Sequence, residues 1–334
     1  MKAGIIGCGQ MGYAHAQAYA ANNIDIVCAV DTNENKALEF SKRFNCKFYT
    51  SQKRMIEEQE LDVISICTPV DYHRVSIEMA IKKNIPILCE KPFAIDLNEA
   101  ISVGKLIAKS NAFFSIGFKM RYDNIYREAK IILDSNEIGE PINIIIGHFQ
   151  PPPIASWYMD NGVIMELLVH SIDICNWFYN SIPYKVTADA QNILNKRGED
   201  RAFIKLDYKG HNQGIIVGGY IDKFPPIVGK DDFLFLVVGE TGYLAGKRNG
   251  KLLVCSKQRL TEINLEKSNA FENAFELEIK DFIESIKQKQ APKIPLKAAL
   301  ASQLVLNYVY KSIKEGLPVT VKIPEDIKPF LEIK

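Results

Sequence analysis

Short apolar runs alternate with longer amphipathic stretches over the first part of the chain. The runs have the length and the β-branched content of buried strands. The stretches between them place apolar residues three and four positions apart, as amphipathic helices do. We predict strands at residues 3–6, 24–30, 63–67, 85–89 and 113–117, and helices at 11–21, 36–44, 73–82 and 97–109. Since alternating strands and helices build parallel sheets, the pattern predicts a doubly wound α/β domain of the Rossmann type over residues 1–120.

The pattern changes near residue 123, where one helix is followed by strands that are separated only by turns. Consecutive strands with short connections favour an antiparallel sheet. The predicted elements are a helix at 125–135, strands at 142–150, 186–193, 202–208, 214–221 and 233–238, helices at 274–287 and 296–315, and an edge strand at 319–323. We therefore predict an α+β domain over residues 121–334, built on a large, mostly antiparallel open sheet. Its C-terminal helix can pack back on the first domain.

Length and composition agree with two folded domains and a small-molecule partner. The chain has 334 residues, of which 47% are hydrophobic and 24% charged, and it contains no low-complexity tract. Its net charge of +1 creates no field that would attract nucleic acid or an anionic membrane surface. Neither is therefore expected as a partner.

The seven cysteines are scattered along the chain, and none belongs to a CxxC pair. Most lie inside apolar runs, which is typical of reduced thiols in the core of a cytoplasmic protein. No stretch approaches the roughly 20 apolar residues of a membrane-spanning helix, and the apolar segment before Cys8 is too short for a signal peptide. We predict a cytoplasmic protein that is neither exported nor membrane-spanning, and we predict no metal site.

A glycine-rich turn, GCGQMG at residues 7–12, lies between the first predicted strand and the first predicted helix. In this GxGxxG spacing Gly7 permits a tight turn, Gly9 lets a pyrophosphate approach the backbone, and Gly12 lets the helix pack closely on the strand. Phosphates would accept hydrogen bonds from free N–H groups at the helix N-terminus, where Gln10 and Met11 lie. The turn therefore predicts a dinucleotide site.

Asp31 lies nineteen residues after Gly12, at the end of the second apolar run. A carboxylate at this place accepts hydrogen bonds from the ribose hydroxyls of adenosine. It also repels a 2′-phosphate, and no arginine follows it directly, so we predict NAD in preference to NADP. The alternative role is a turn or N-cap residue before the helix that begins near Asn35, and the two roles are compatible.

Further motifs carry a resemblance to a known family. They are the Thr68-Pro69 turn followed by His73, CEKPFA at residues 89–94, GFKMRYD at 117–123, and GVIMELLVHSID at 162–173. In this order beside a Rossmann turn, they resemble the glucose–fructose oxidoreductase / inositol dehydrogenase / MocA family along essentially the whole chain. The resemblance implies an open-sheet second domain, a sugar or cyclitol substrate, and a homodimer or homotetramer formed through the open sheet. It also implies cofactor contacts from Thr68, Pro69, His73, Glu90 and Lys91.

Lys91 stands just after the predicted strand 85–89 and is followed by Pro92, so the chain is extended or turned there. Sheets of this class bind ligands at the carboxyl ends of their strands. A lysine so placed can donate to the substrate and to the nicotinamide ribose, and its charge favours a developing alkoxide. The alternative is an ordinary surface lysine.

Glu166 and His170 are four residues apart in a helical pattern, with Asp173 one turn further on, so we predict that they share one helix face. A histidine is the natural acceptor of a hydroxyl proton near neutral pH, and a nearby carboxylate would orient it. From the residues alone a buried structural histidine is preferred, because apolar residues flank it. The resemblance reverses this preference, since His170 matches the catalytic histidine of the family. The family usually has aspartate where Glu166 stands, and the extra methylene displaces the carboxylate.

Other side chains lie in segments that face the cofactor in this family and could bind or stack on a sugar: Arg121, Tyr122, His148, Gln150, Trp157, Tyr158 and Asn161. Each could equally be structural. We predict Arg121, Tyr122, Trp157 and Tyr158 as substrate ligands, together with Lys91, Glu166, His170 and Asp173. For His73, a solvated place in the first turn of its helix is the alternative.

The residues support three classes of function. The favoured one is NAD-dependent transfer of a hydride between the nicotinamide and a secondary hydroxyl or ketone of a sugar, amino sugar or inositol. The alternatives are an NAD-dependent glycoside hydrolase of the same fold and a non-catalytic sensor of nucleotide or sugar. Lys91 and His170 together disfavour the sensor, which needs neither a base nor a cation at a reacting carbon.

Overall fold

The computed structural model describes residues 1–152, 160–194, 197–220, 233–247, 250–265 and 270–331. Contacts between Cα atoms divide the chain into two compact units. The first unit comprises Met1–Tyr122, Phe271–Gln303 and Glu325–Glu332, and the second comprises Asp123–Ala270, Leu304–Pro324 and Ile333–Lys334. Each unit is built on one sheet.

The first unit contains a six-stranded, all-parallel sheet. Its strands are β1 (Lys2–Ile6), β2 (Asp25–Val30), β3 (Lys47–Tyr49), β4 (Val63–Ile66), β5 (Ile87–Glu90) and β6 (Phe114–Gly117). The helices between them are α1 (Gln10–Ala21), α2 (Glu34–Phe44), α3 (Gln52–Glu58), α4 (His73–Lys82) and α5 (Leu97–Ser110). The strand order is β3-β2-β1-β4-β5-β6. The predicted doubly wound parallel sheet is confirmed, although β3 and α3 were not predicted.

The second unit contains a nine-stranded sheet. Its strands are β7 (Pro141–Gln150), β8 (Lys185–Gln191), β9 (Arg201–Asp207), β10 (Gln213–Tyr220), β11 (Phe233–Gly239), β12 (Gly242–Lys247), β13 (Lys251–Ser256), β14 (Arg259–Asn264) and β15 (Val319–Thr320). They lie in the order β14-β13-β12-β11-β7-β10-β9-β8-β15, and within the described ranges only β7 and β10 pair in parallel. The predicted, mostly antiparallel open sheet is confirmed. The predicted edge strand 319–323 is limited to the two residues of β15.

The helices of the remaining chain are α6 (Asn124–Asp134), α7 (Val169–Tyr179), α8 (Ala270–Gln288), α9 (Leu296–Glu315) and α10 (Lys328–Leu331). A π-helical turn, Ile164–Leu168, leads directly into α7. Shorter 3-10 turns lie at Val70–Tyr72, Lys119–Tyr122, Lys209–His211 and Glu325–Ile327. Nearly every residue of α7 is buried, which is why its sequence lacks a polar face.

Polar residues in the connecting turns determine where two helices of the first unit begin. The Asn33 side chain accepts a hydrogen bond from the Lys36 N–H at 3.2 Å, and Asp96 accepts one from the Glu99 N–H at 2.8 Å. Each bond satisfies a backbone donor that a helix leaves unpaired in its first turn. As a result, α2 and α5 start at the residue that follows the cap.

The core of the first unit includes a helix that is distant in sequence. Phe275, Ile279 and Phe282 of α8 belong to the same buried apolar cluster as Ile5 of β1 and Tyr19 of α1. Burial of large apolar side chains is the main stabilising contribution to a fold. The first unit therefore depends on residues from both the start and the later part of the chain.

All seven cysteines are free thiols, and five of them are buried. Among the helices in the described ranges, none is both long enough and apolar enough to cross a membrane.

Candidate functional site

The glycine turn joins β1 to α1 with a geometry that only glycine permits at two of its positions. Gly7 has a φ of +97°, and a Cβ atom on it would lie 2.7 Å from the carbonyl oxygen of Cys67. A Cβ on Gly12 would lie 2.0 Å from the carbonyl oxygen of Gly7. By contrast, apart from Gly9 itself and its two chain neighbours, no heavy atom of the described residues lies within 4 Å of a Cβ placed on Gly9. Gly7 and Gly12 are required by close packing, and Gly9 leaves open space beside the turn.

The N-terminus of α1 carries no side-chain cap. Gly9 is the N-cap residue, and it has no side chain that could accept a hydrogen bond from the first turn of the helix. The first backbone N–H groups of a helix, here including those of Gln10 and Met11, have no partner within the helix. Such groups, together with the helix dipole, bind phosphate anions.

Asp31 follows β2, and both of its carboxylate oxygens contact the backbone. Its Oδ2 accepts a hydrogen bond from the Cys8 N–H at 3.0 Å, and its Oδ1 accepts one from the Asn33 N–H at 2.9 Å. The predicted turn role is thus present, whereas the predicted N-cap alternative is wrong, because Asn33 caps α2. Each carboxylate oxygen can accept a second hydrogen bond, so these bonds leave Asp31 able to accept from a ribose hydroxyl.

His73, in the first turn of α4, is buried rather than solvated. It is 1% exposed, and its Nε2–H donates a hydrogen bond to the carbonyl oxygen of Thr68 at 2.9 Å. Burial lowers the pKa of His73, which keeps the ring neutral near pH 7. The alternative of a solvated residue is therefore wrong. The histidine holds the Thr68-Pro69 turn that follows β4.

Glu90 and Lys91 lie at the end of β5. Glu90 is buried, with Oε1 at 2.9 Å from His15 Nε2 and Oε2 accepting from the Lys91 N–H at 3.1 Å. Burial acts to raise the pKa of Glu90, but the hydrogen bond and charge of His15, with the charges of Lys91 and Lys119, hold it below its usual value. Glu90 is therefore an ionised carboxylate. Lys91 is half-buried, and its peptide bond to Pro92 is cis.

Strand order brings these segments to one edge of the sheet. Gly7 follows β1, Asp31 follows β2, Thr68 comes shortly after β4, and Lys91 follows β5. The four strands are neighbours in the order β2-β1-β4-β5, and they are parallel. The carboxyl ends of parallel strands form the ligand-binding edge in this class of sheet.

The Lys119–Tyr122 turn continues the chain after β6. The Tyr122 hydroxyl donates to Asp281 Oδ2 at 2.8 Å, and Lys119 Nζ lies 4.7 Å from the centroid of the Phe275 ring. Burial and the nearby Asp281 carboxylate raise the pKa of Tyr122, so the phenol stays protonated. Arg121 is half-buried. The hydroxyl of Tyr122, a predicted substrate ligand, is thus bonded to α8 within the first unit.

Several polar residues of the first unit were not predicted. Glu278 of α8 is 2% exposed, and within the described chain neither of its carboxylate oxygens has a hydrogen-bond partner. Burial and the proximity of Glu90 raise the pKa of Glu278 well above its usual value, so it is a neutral acid. His15 stands among alanines in α1, and Ser65 interrupts the apolar residues of β4. A polar residue in an apolar pattern is a usable signal, because buried polar groups need partners.

Glu166 lies in the π-helical turn that precedes α7, and Asn161 Nδ2–H donates to its Oε1 at 2.7 Å. A π turn closes hydrogen bonds over five residues instead of four, and such turns are frequent at functional sites. The prediction of one regular helix over Glu166, His170 and Asp173 is therefore wrong. Only His170 and Asp173, which are three apart in α7, have regular helical spacing.

His170 and Asp173 are both buried. Ser171, which directly follows His170 in α7, forms a hydrogen bond of 3.0 Å between its Oγ and His148 Nδ1 of β7. Gln150 ends β7 and is half-buried. Trp157 and Tyr158 lie outside the described residues. The described part of the second unit thus contains three buried polar residues around the start of α7, namely Glu166, His170 and Asp173, and the half-buried Asn161 is bonded to Glu166.

Glu199, which was not predicted, anchors the start of the π turn. Its Oε1 accepts hydrogen bonds from the Ile164 N–H at 3.0 Å and from the Tyr310 hydroxyl at 3.1 Å. Gly162, with a φ of +84°, leaves room for this carboxylate, because a Cβ there would lie 2.3 Å from its oxygens. Burial raises the pKa of Glu199. The segment before His170 is therefore held from a distant part of the chain.

Known proteins with similar sequences and folds cover nearly the whole chain. An inositol 2-dehydrogenase/D-chiro-inositol 3-dehydrogenase of Lacticaseibacillus casei is 26% identical over 88% of this chain and 87% of its own. A myo-inositol 2-dehydrogenase of Thermotoga maritima is 23% identical over 96% of this chain and 99% of its own. A crystal structure of an Agrobacterium radiobacter oxidoreductase in complex with NAD+, L-tartaric acid and magnesium superposes with a TM-score of 0.88 at 21% identity, covering 96% and 98% of the two chains. That likeness shows a shared fold.

Two family models match consecutive parts of the chain. The model of an oxidoreductase family with an NAD-binding Rossmann fold matches residues 1–118, which hold the parallel sheet and the glycine turn. The model of the GFO/IDH/MocA C-terminal domain matches residues 126–245, which hold the π turn, α7 and much of the open sheet. The two models together span most of the chain, with the Rossmann model first and the C-terminal model second. The protein therefore belongs to the Gfo/Idh/MocA family of oxidoreductases.

Proposed function

We propose that this protein is an NAD-dependent dehydrogenase that transfers a hydride between the nicotinamide and a secondary hydroxyl or ketone of a sugar, amino sugar or inositol. The observation that carries the proposal is that the glycine turn, Asp31 and Lys91 lie at one edge of the parallel sheet. The relatives described as inositol dehydrogenases support the class of substrate.

The first unit has the features that NAD requires. The space beside Gly9 is open, the N-terminus of α1 is uncapped, and Asp31 can accept further hydrogen bonds. Bound NAD would supply the hydride acceptor for alcohol oxidation. The negative charge of Asp31, held at the turn by the Cys8 N–H, repels a 2′-phosphate and favours NAD over NADP. Further predicted cofactor contacts come from Gln10, Met11, Thr68, Pro69, His73, Glu90 and Lys91.

Lys91 is proposed to hold the reacting oxygen of the substrate. Its ammonium group donates a hydrogen bond to the hydroxyl and stabilises the negative charge that develops as the proton leaves. The backbone N–H of Lys91 is bound by Glu90, which limits the movement of the residue. An oriented cation lowers the barrier more than a mobile one, since no reorganisation is needed during the reaction.

His170 is proposed as the base that accepts the hydroxyl proton at a ring nitrogen. Glu166 and Asp173 are proposed as the carboxylates that orient the ring and contact the substrate, with Asn161 holding Glu166. Arg121, Tyr122, Trp157 and Tyr158 remain proposed substrate ligands. The proposed cofactor residues belong to the first unit, and the proposed base belongs to the second.

We also propose a homodimer or homotetramer formed through one face of the nine-stranded sheet. On that face Val217 of β10 lies opposite Phe203 of β9, and Ile215 lies opposite Ile145 of β7. Val217 is 38% exposed and Phe203 41% exposed, although both are apolar. Contiguous apolar residues on a sheet face favour burial against a second copy.

A screen of sugars, amino sugars and cyclitols for NADH formation tests the function. We expect the wild-type protein to reduce NAD with at least one of these polyols. The His170→Asn variant should lose on the order of 10² to 10⁴ in kcat/KM, which is the usual contribution of a general base. His211→Asn is the matched control, since His211 is exposed.

The same screen separates the alternative functions. Glycoside cleavage without net NADH would indicate an NAD-dependent hydrolase. Binding of NAD and sugar without turnover of any polyol or glycoside would contradict an enzymatic role and indicate a sensor. Equal activities of the His170→Asn and His211→Asn variants would remove His170 from the mechanism.

A further inference from the structure

His15 stands at the centre of a buried chain of hydrogen bonds in the first unit. Its Nε2 lies 2.9 Å from Glu90 Oε1, and its Nδ1 lies 3.0 Å from Ser65 Oγ. Ser65 Oγ in turn lies 3.0 Å from the hydroxyl of Tyr19. All four side chains are buried. Because water does not reach these atoms, each needs a hydrogen-bond partner from the protein itself.

The protonation states decide which atom donates and which accepts in each of these hydrogen bonds. Glu90 is ionised, so its oxygens only accept, and His15 Nε2 must carry the proton that it donates. Burial raises the pKa of Tyr19, so its phenol keeps its proton and can donate to Ser65 Oγ. Ser65 then donates to His15 Nδ1. With Nε2 as the donor and Nδ1 as the acceptor of the His15 ring, every donor in these hydrogen bonds finds an acceptor.

At its Glu90 end, this series of hydrogen bonds reaches the backbone of Lys91, the proposed catalytic lysine. Glu90 uses Oε1 for His15 and Oε2 for the Lys91 N–H, at 3.1 Å. Gly117 of the neighbouring strand leaves room for this carboxylate, because a Cβ there would lie 3.3 Å from its Cδ atom. His15 itself belongs to α1, the helix that begins at the glycine turn. Glu90 therefore links that helix to the segment that carries Lys91.

We propose that His15 is a positioning residue for Lys91. It orients the Glu90 carboxylate, and this carboxylate holds the Lys91 backbone at a fixed position relative to the glycine turn. The inference rests on the proposed function, in which Lys91 contacts the substrate. A displacement of about 1 Å at a reacting group is enough to slow an enzyme about a hundredfold. Loss of the His15 donor would therefore slow catalysis while the glycine turn still binds NAD.

Two substitutions of similar size distinguish a positioning role of His15 from a role that only fills space in the core. The amide nitrogen of a glutamine at position 15 can occupy the place of Nε2 and donate to Glu90. The amide nitrogen of an asparagine occupies the place of Nδ1, so it reaches Ser65 and not Glu90. His15→Gln should therefore rescue the positioning role, and His15→Asn should lose it.

Hydrogen exchange at the Lys91 amide and steady-state kinetics are the two measurements. In His15→Asn we expect the Lys91 amide to exchange at least about tenfold faster than in His15→Gln, because its acceptor is no longer fixed. We expect kcat of His15→Asn to fall at least about tenfold below that of His15→Gln, with the Kd for NAD and the unfolding midpoint alike in both. Equal exchange rates and equal kcat values in the two variants would overturn the proposal.

The exchange measurement needs no substrate, so it is independent of the proposed function. Absence of turnover with every polyol would overturn the dehydrogenase assignment, whereas the exchange difference would still test the role of His15. If neither His15 variant folds, Glu90→Gln gives the same test, since its amide offers one oxygen where the carboxylate offers two. Unchanged exchange at Lys91 in a folded Glu90→Gln variant would also overturn the proposal.

Discussion

Asp31 Oδ2 accepts a hydrogen bond from the backbone N–H of Cys8 at 3.0 Å. This bond ties a carboxylate that follows β2 to the middle of the glycine turn after β1. Since the two strands are neighbours and parallel, their ends can meet in this way although the residues are 23 positions apart. A negative charge is thereby held at the turn proposed to bind the dinucleotide.

Substitution of Asp31 should change the choice of dinucleotide. We expect the wild-type protein to bind NAD better than NADP, and Asp31→Ala to lower that preference by at least about tenfold, because the repulsion of the 2′-phosphate is lost. Titration with each dinucleotide measures both Kd values. Asp25→Ala, at the exposed start of the same strand, is the control and should leave the ratio unchanged. A wild-type preference for NADP would contradict the argument.

Substitution of Lys91 tests its electrostatic role. Lys91→Ala should lower kcat for the best polyol substrate by a factor on the order of 10², since the developing alkoxide loses its cation. The exposed Lys83, which follows α4, supplies the control variant Lys83→Ala. The measurement is the initial rate at saturating NAD. A Lys91→Ala variant with kcat within about threefold of the wild type would show that the lysine does not stabilise charge in the reaction.

Glu278 should make the stability of the protein depend on pH. Its folded pKa is raised above the ordinary value of 4.5, so its contribution to stability is present below that value and is lost as pH rises towards the folded pKa. We expect Glu278→Gln to remove this loss, on the order of 1 kcal/mol for each pH unit crossed in that window.

Urea unfolding at pH 5 and pH 8 measures the effect. The free energy of unfolding of Glu278→Gln, relative to the wild type, should be higher at pH 8 than at pH 5. Glu276→Gln, at an exposed position of the same helix, should show no such difference. Identical pH dependence in the Glu278→Gln variant and the wild type would show that Glu278 ionises normally in the folded state.

A charge on the open sheet face should disrupt the proposed oligomer. We expect Val217→Lys to shift the mass measured by light scattering from the dimer or tetramer towards the monomer, because a lysine is costly to bury in an apolar interface. The control is Ile131→Lys on α6, since Ile131 is 59% exposed and apolar but lies outside the sheet. A monomeric wild-type protein, or a Val217→Lys variant of unchanged mass, would refute the interface.

Much of the fold could be predicted because its signal is local. The GxGxxG turn, the apolar strands around it and the periodic helices after it each lie within a short window of sequence. Two of the elements that escaped prediction, β3 and β14, have little or no local signal. β3 has three residues, too few to show a period, and β14 has no buried residue along its length, so it lacks an apolar face.

The sequence by itself determined the type of fold, the family motifs and the candidate residues Gly7, Asp31, Lys91 and His170. Tertiary structure decided which side chains meet. The bond between His15 and Glu90 joins residues 75 positions apart, and the buried Glu278 reaches the same region from α8. A sequence pattern records the conformational preference of neighbouring residues, whereas such contacts depend on strand order and helix packing. The polar network beneath Lys91 therefore became visible only when α1, β4, β5 and α8 were placed together.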